Sequence, residues 1–349
     1  MASYLLRRLL LMIPTLIGIL LVSFLVIQFV PGGPVEQLVQ QLRGKNMGGG
    51  EVSASGGGYR GAQGVDPEKI KEIKTLYGFD KPAPQRFFDM LGRYARFDLG
   101  QSYFQPKSVF QLIKEKLPVS ISLGIWSFLI VYAVSIPLGI AKAVRHGSSF
   151  DLWTSTLILV GYAIPGFVLG VALLVFFGGG SFLQWFPLRN LTSDNFDQLS
   201  LVGKVLDYFW HLTLPLICLI VGSFAVTTML TKNTFLEEIR RQYVLTARAK
   251  GLSERTVFYK HIFRNALIPL VTGFPAAFVG AFFTGSLLIE TLFSLDGLGL
   301  LSYNAVIQRD YPVVLGSLYV FSIVGLLTKL VTDLSYTWVD PRVKFDATS

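Results

Sequence analysis

The chain is 349 residues long, 52% hydrophobic and only 15% charged, with a formal net charge of +9. Soluble domains carry roughly 25% charged residues, and here the few charges are clustered, so a large soluble enzyme is excluded and an integral membrane protein remains. The positive balance then records sidedness in a bilayer and not a nucleic-acid footprint.

A run of about 20 apolar residues is needed to cross a hydrocarbon core of about 30 Å. The first such run, Leu9 to Val30, follows Arg7-Arg8 and makes residues 1–30 a transmembrane helix. It is expected to be retained, since it outlasts a secretory apolar region and Val30-Pro31-Gly32-Gly33-Pro34 offers no small-residue cleavage site.

Residues 31–117 read as an outside loop. Nine of the 21 residues from Gly44 to Gly64 are glycine, a composition that cannot offset its backbone entropy and is expected to stay mobile. Asp66 then caps an expected helix starting at Pro67, with Ile70, Ile73 and Leu76 on one face and Gly78 closing it. A second helix is expected from Gln85 to Arg96, with Phe88, Leu91 and Ala95 in register. Together they predict a small helical outer domain.

Residues 118–332 hold the remaining expected spans: Pro118 to Ala141, Leu152 to Phe177, His211 to Leu230, Ala266 to Ile289, and Val313 to Thr332. Lys329 falls inside the last but close enough to its end to snorkel. The third and fifth spans are interrupted by Pro165-Gly166 and by Gly273-Phe274-Pro275, where a helix bends and freed backbone groups can face a water-filled cavity. Pro165, Thr272, Thr284 and Ser286 are the candidate lining of a translocation path; ordinary kinked packing, with hydroxyls bonded to their own helix, is the equal alternative. Between the last two spans, Gly297 and Gly299 predict a tight turn before a short helix through Ala305, and the acids there are expected to cluster with Arg309. Residues 333–349 form an expected tail.

Sidedness follows from Lys and Arg in the short loops. Arg7, Arg8, Lys142, Arg145, the eight basic residues between Thr231 and Arg264, Arg342 and Lys344 lie on one side; Arg189, Lys204 and Arg309 lie on the other. Both termini are therefore expected in the cytoplasm.

The segment 231–264 carries more structure than a connector needs. Phe235, Ile239, Tyr243 and Ala247 recur every four residues as an apolar stripe, while Arg240, Val244 and Arg248 line a charged face. Gly251 ends that helix, Ser253 caps a second, and Val257, Phe258, His261 and Ile262 share a face of the second. Both ends enter the membrane, which leaves no free recognition helix for DNA. Docking into a groove of another protein fits best.

Catalytic signals are missing. There is no G-x-x-x-x-G-K-[ST] phosphate loop, no paired carboxylates, no metal-spaced cluster and no nucleophile elbow; His146, His211 and His261 are far apart, and Cys218 is alone. The spans carry no ionisable residue near their centres, where ion-coupled carriers place theirs.

TARAKG at Thr246 to Gly251 followed by HIFRNALIP at His261 to Pro269 resembles the coupling loop of permease subunits of bacterial ATP-binding-cassette (ABC) importers, in its peptide-transporter version. RRLL at Arg7, YGFDKP at Tyr77, RFDLGQS at Arg96, LPVSISLG at Leu117, AIPGF at Ala163, GSLLIE at Gly285, RDYP at Arg309 and VDPR at Val339 extend the likeness along nearly the whole chain. The chain is thus similar to B-type permeases of the peptide/nickel transporter family, with its glycine-rich insertion nearest the Yej branch, which imports oligopeptides and the antibiotic microcin C. Leu245 and Thr246 stand where the general family pattern has Glu and Ala, so no salt bridge of that Glu is carried over.

The resemblance implies an all-α polytopic membrane protein of six transmembrane helices with a type I importer core, in the bacterial inner membrane. It implies an ATPase-coupling set of Tyr243, Ala247, Arg248, Lys250, Gly251 and Ser253. The implied partners are a homologous second permease, one or more ATPase subunits, a periplasmic peptide-binding protein, membrane lipid and a peptide substrate, with no nucleic acid. ATP and Mg would be bound by the partner subunits, with no cofactor in this chain. An ion-coupled carrier or channel acting without an ATPase, and a membrane receptor, are the other classes weighed.

Overall fold

A computed structural model describes residues 2–29, 80–178, 182–283 and 287–339. The glycine-rich stretch, the helix expected after Asp66, and Thr284 and Ser286 lie outside the described residues. Every element named below is helical. Among the described residues, four helices are long and apolar enough to cross a membrane, Tyr4–Phe29, Val109–Val144, Leu201–Ile239 and Tyr311–Ser335; two bent pairs make six if each pair is one span.

The helices are α1 (Ala2–Phe29), α2 (Ala83–Tyr94), α3 (Val109–Val144), α4 (Ser149–Ala163), α5 (Gly166–Phe177) and α6 (Leu201–Ile239), then α7 (Gln242–Ala249), α8 (Glu254–Ala266), α9 (Ile268–Phe283), α10 (Leu287–Leu292), α11 (Leu298–Gln308) and α12 (Tyr311–Val339). The chain divides into two compact units, one of Met1–Arg8, Lys116–Leu301 and Val324–Ser349, the other of Leu9–Glu115 and Ser302–Ile323.

In the second unit, α2 buries Phe87, Met90 and Tyr94. Phe88 is exposed, so the expected face of Phe88, Leu91 and Ala95 is corrected by one residue. Phe24 of α1 decides it, its ring centroid 5.3 Å from that of Phe87. The loop after α2 is held by Asp310, which accepts from the Ser102 hydroxyl and from the Tyr103 N–H at 3.1 Å.

In the first unit, α3 and α6 cross where a Cβ on Gly139 would lie 2.6 Å from Thr231 Cβ and 2.8 Å from the Thr228 carbonyl oxygen. Backbone cannot yield as a flexible side chain does. Gly139→Val should therefore cost at least about 1–3 kcal/mol, and fluorescence-detected gel filtration of detergent extracts should show less folded protein. Helix α5 approaches α6 through a G-x-x-x-G face: a Cβ on Gly166 would meet the Cys218 carbonyl oxygen at 2.7 Å, and one on Gly170 would meet Cys218 Sγ at 3.3 Å.

The third expected span bends by 90° between α4 and α5, as Pro165-Gly166 predicts. The fifth bends by 44° between α8 and α9, at Leu267. That corrects the expected interruption at Gly273-Phe274-Pro275, through which α9 runs unbroken. The proline that accompanies the break is Pro269, in the first turn of α9 where its missing N–H costs nothing. Helix α12 also continues to Val339, seven residues past the expected end of its span at Thr332.

The acids after α9 take separate partners instead of forming one cluster. Asp296 pairs with Lys116. Glu290 is fully buried, its Oε2 accepting the Leu300 N–H at 2.8 Å and its Oε1 the Ser120 hydroxyl at 3.3 Å. A Cβ on Gly297 would stand 2.6 Å from the carboxyl carbon, so only glycine closes the turn over it. Burial raises the Glu290 carboxyl above the usual glutamate range, against the pull of those hydrogen bonds. A raised carboxyl favours the protonated fold, so this stabilisation is full below the unfolded pKa and is lost as pH rises through the folded one. The unfolding temperature in mild detergent should fall as pH rises above the usual glutamate range, and Glu290→Gln should flatten the slope.

Candidate functional site

The segment between α6 and α9 folds as a helical hairpin. Helix α6 stops at Ile239, where Arg240 is still helical but Arg241 turns extended (φ −70°, ψ 147°) and becomes the N-cap of α7. The two arginines interrupt the helix, yet Phe235, Ile239, Tyr243 and Ala247 still pack into one cluster, as the expected stripe requires. Glu237 and Glu238 hold Arg241 from the last turn of α6, and the Tyr243 hydroxyl donates to Glu238 Oε2 at 2.6 Å.

Helix α7 ends in a Schellman motif. The Gly251 N–H reaches the Arg248 carbonyl at 2.9 Å and the Leu252 N–H reaches the Ala247 carbonyl at 3.3 Å, which requires a left-handed Gly251 (φ +77°). Ser253 then accepts from the Thr256 N–H at 3.3 Å and caps α8, as its position predicts. Arg248 grips Glu254 with two parallel hydrogen bonds, 2.8 and 3.0 Å, stapling α7 to α8 across the turn. Within α8, residues Val257–Ile262 form a π-turn, a feature that recurs at functional positions.

The inner face of the hairpin is a small core of its own: Val244, Ala247, Val257, Ile262 and Ala266 pack with Phe235 of α6 and Ala143 of α3. Val244 is completely buried, so its expected place on the charged face is corrected; the break at Arg240-Arg241 turns it inward. Ala247 also faces this core. Tyr243 is half-buried, while Arg248, Lys250, Gly251 and Ser253 are exposed.

The outer face presents apolar side chains that the stripe analysis missed. Leu245 is 61% exposed and Tyr259 62% exposed, with Leu252 beside Gly251 also exposed. The signal in the sequence was an apolar residue lying off the stripe. An apolar tip rimmed by Arg248, Lys250 and Arg255 has the make-up of a docking surface.

Of the candidate path residues, Pro165 and Thr272 are described. Pro165 is exposed at the 90° bend. Thr272 is buried, and its hydroxyl donates to the Ile268 and Pro269 carbonyls of its own helix at 2.9 and 3.1 Å. That arrangement withdraws Thr272 from any water-filled lining.

Comparison with known proteins adds a family match and three relatives. Residues 135–345 match the family described as binding-protein-dependent transport system inner membrane component. Over 99% of its length the chain is 58% identical to the peptidoglycan transport system permease protein YejB of Agrobacterium fabrum (strain C58), covering 99% of that protein. It is 54% identical to the inner membrane ABC transporter permease protein YejB of Escherichia coli O157:H7, across 99% of this chain and all of that one, and 32% identical to the di/tripeptide transport system permease protein DppB of Pseudomonas aeruginosa, with 99% of both covered.

Proposed function

The chain belongs to the family of binding-protein-dependent transport system inner membrane components, and on that premise we propose that it forms part of the passage for oligopeptides entering the cell, worked through the hairpin around Gly251. It is the multi-pass permease subunit of an ABC importer of the peptide-transport class, and the ATPase activity resides in a separate subunit. The finer assignments are ours. Both termini and the hairpin face the cytoplasm. A homologous second permease completes the passage, a periplasmic protein delivers the peptide, and partner ATPases hold ATP and Mg and receive the tip formed by Leu245, Lys250 and Leu252, which turns on Gly251.

The observation that carries this reading is the hairpin's two-sided construction. Its inner face is a packed core seated on α3 and α6, and its outer face is an exposed apolar tip. ATP-driven closure of the partners moves the tip, and the core passes that movement to the spans as one body. An ion-coupled carrier has no use for such a surface.

The substrate class includes peptides carrying non-peptide groups. Microcin C is one such compound, and the relative named for peptidoglycan transport adds cell-wall peptides. Uptake of labelled oligopeptides, microcin C and cell-wall muropeptides by cells with and without this gene tests the reading: gene-dependent, ATP-dependent uptake is expected, and equal uptake in both strains for all three would overturn it.

A further inference from the structure

We propose that Lys232 is a positioning residue for coupling, tying the platform beneath the hairpin to the bent pair α4–α5 through the buried carboxylate of Asp151. The proposal rests on the docking reading above and extends it one step, from the hairpin into the spans.

Three helices meet at this point. Lys232 of α6 contacts both carboxylate oxygens of Asp151 at 2.7 and 2.8 Å. Lys142 of α3 is fully buried and lies 3.2 Å from Asp151 Oδ1, with its other hydrogen bonds going to the Asp151 carbonyl (3.0 Å), Thr154 Oγ1 (2.8 Å) and Ser155 Oγ (2.7 Å). Asp151 sits in the first turn of α4, where its N–H donates to the capping Ser148 hydroxyl at 3.3 Å and its Oδ2 accepts the Gly147 N–H at 3.2 Å.

Both lysines come from the surface on which the hairpin rests. Lys142 precedes Ala143, and Lys232 lies one turn before Phe235; Ala143 and Phe235 are the two platform residues of the hairpin core. One turn away on the other side, Gly139 and Thr231 bring α3 and α6 into close contact. The platform is thus rigid, and Asp151 is the grip by which it holds α4. Beyond α4 lies the 90° bend at Pro165. A displacement of the hairpin therefore reaches the bent span through the Lys232–Asp151 contact.

The charges are unbalanced, and that makes the proposal testable. Two lysines face one carboxylate, with the half-exposed imidazole of His146 at 3.3 Å and Arg145 lying over the Phe150 ring instead. Replacing Lys232 by methionine leaves the neutral Lys142–Asp151 pair, so no buried charge is stranded and the fold is kept.

The experiment uses the whole importer in proteoliposomes, measuring ATP hydrolysed and peptide imported for each variant. Lys232→Met is expected to assemble and hydrolyse ATP as the unaltered complex does, yet to import about tenfold less peptide per ATP. Lys232→Arg, which keeps both contacts, should restore the ratio. If Lys232→Met does not reach the membrane, Lys232→Gln, which keeps a hydrogen bond and removes the charge, replaces it. An unchanged ratio in the charge-removing variant would overturn the proposal. A Leu245→Asp complex run alongside separates the two readings: if it retains its ATPase, the docking reading fails, and if it loses the ATPase while Lys232→Met keeps the normal ratio, only the transmission step fails.

Discussion

Gly251→Val is expected to lower peptide import about tenfold while the ATPase still associates and hydrolyses ATP. The effect comes from the backbone alone, because a Cβ at Gly251 would meet nothing within 4 Å. What valine cannot do is hold φ at +77°, where a side chain costs about 1–2 kcal/mol and a branched one more. The Schellman bonds from Gly251 and Leu252 would loosen, and the tip would no longer move as one piece with α7. Gly251→Asn, which tolerates the left-handed region, should import nearly as well as the unaltered chain. Equal import by the valine and unaltered proteins would show that the turn's geometry does not matter to transport.

Leu245→Asp should act at the step before, on association itself. Leu245 makes no contribution to the hairpin core and is 61% exposed, so the change leaves the fold intact while placing a charge on the exposed apolar face. Loss of a central apolar anchor weakens an interface by about 2 kcal/mol, or roughly 30-fold in affinity. The ATPase should fail to copurify in mild detergent. Retention of the ATPase at normal stoichiometry would move the docking surface elsewhere.

Local chemistry made the hairpin legible. Gly251 and Ser253 signal their turn and cap within a few residues of sequence, and the structure places both as expected. Pro165-Gly166 likewise announced the bend that follows α4. Faces were harder, because in α2 the sets Phe87, Met90, Tyr94 and Phe88, Leu91, Ala95 have the same helical spacing. The Phe24 and Tyr319 rings, far away in sequence, choose between them. The charged face failed at Val244 for a related reason: periodicity assumes an unbroken helix, and Arg240-Arg241 reset the register, although Phe235, Ile239, Tyr243 and Ala247 keep their common core.

The lysine–aspartate contact was the least legible feature. Lys142 has an ordinary sidedness role in the sequence, and Asp151 and Lys232 are 81 residues apart. No local pattern reports a contact made only when three helices converge.

The π-turn from Val257 to Ile262 has a consequence for length variation. A π-turn is an α-helix holding one residue too many, and each residue of an α-helix turns the chain by about 100°. Loss of a single residue between Val257 and Ile262 would relax that turn to ordinary helix and leave α9 in nearly the same phase, whereas a deletion elsewhere in α8 would rotate α9 against the hairpin by more than a quarter of a revolution. The stretch is therefore the slack by which the hairpin can change length without changing which side of α9 faces its neighbours.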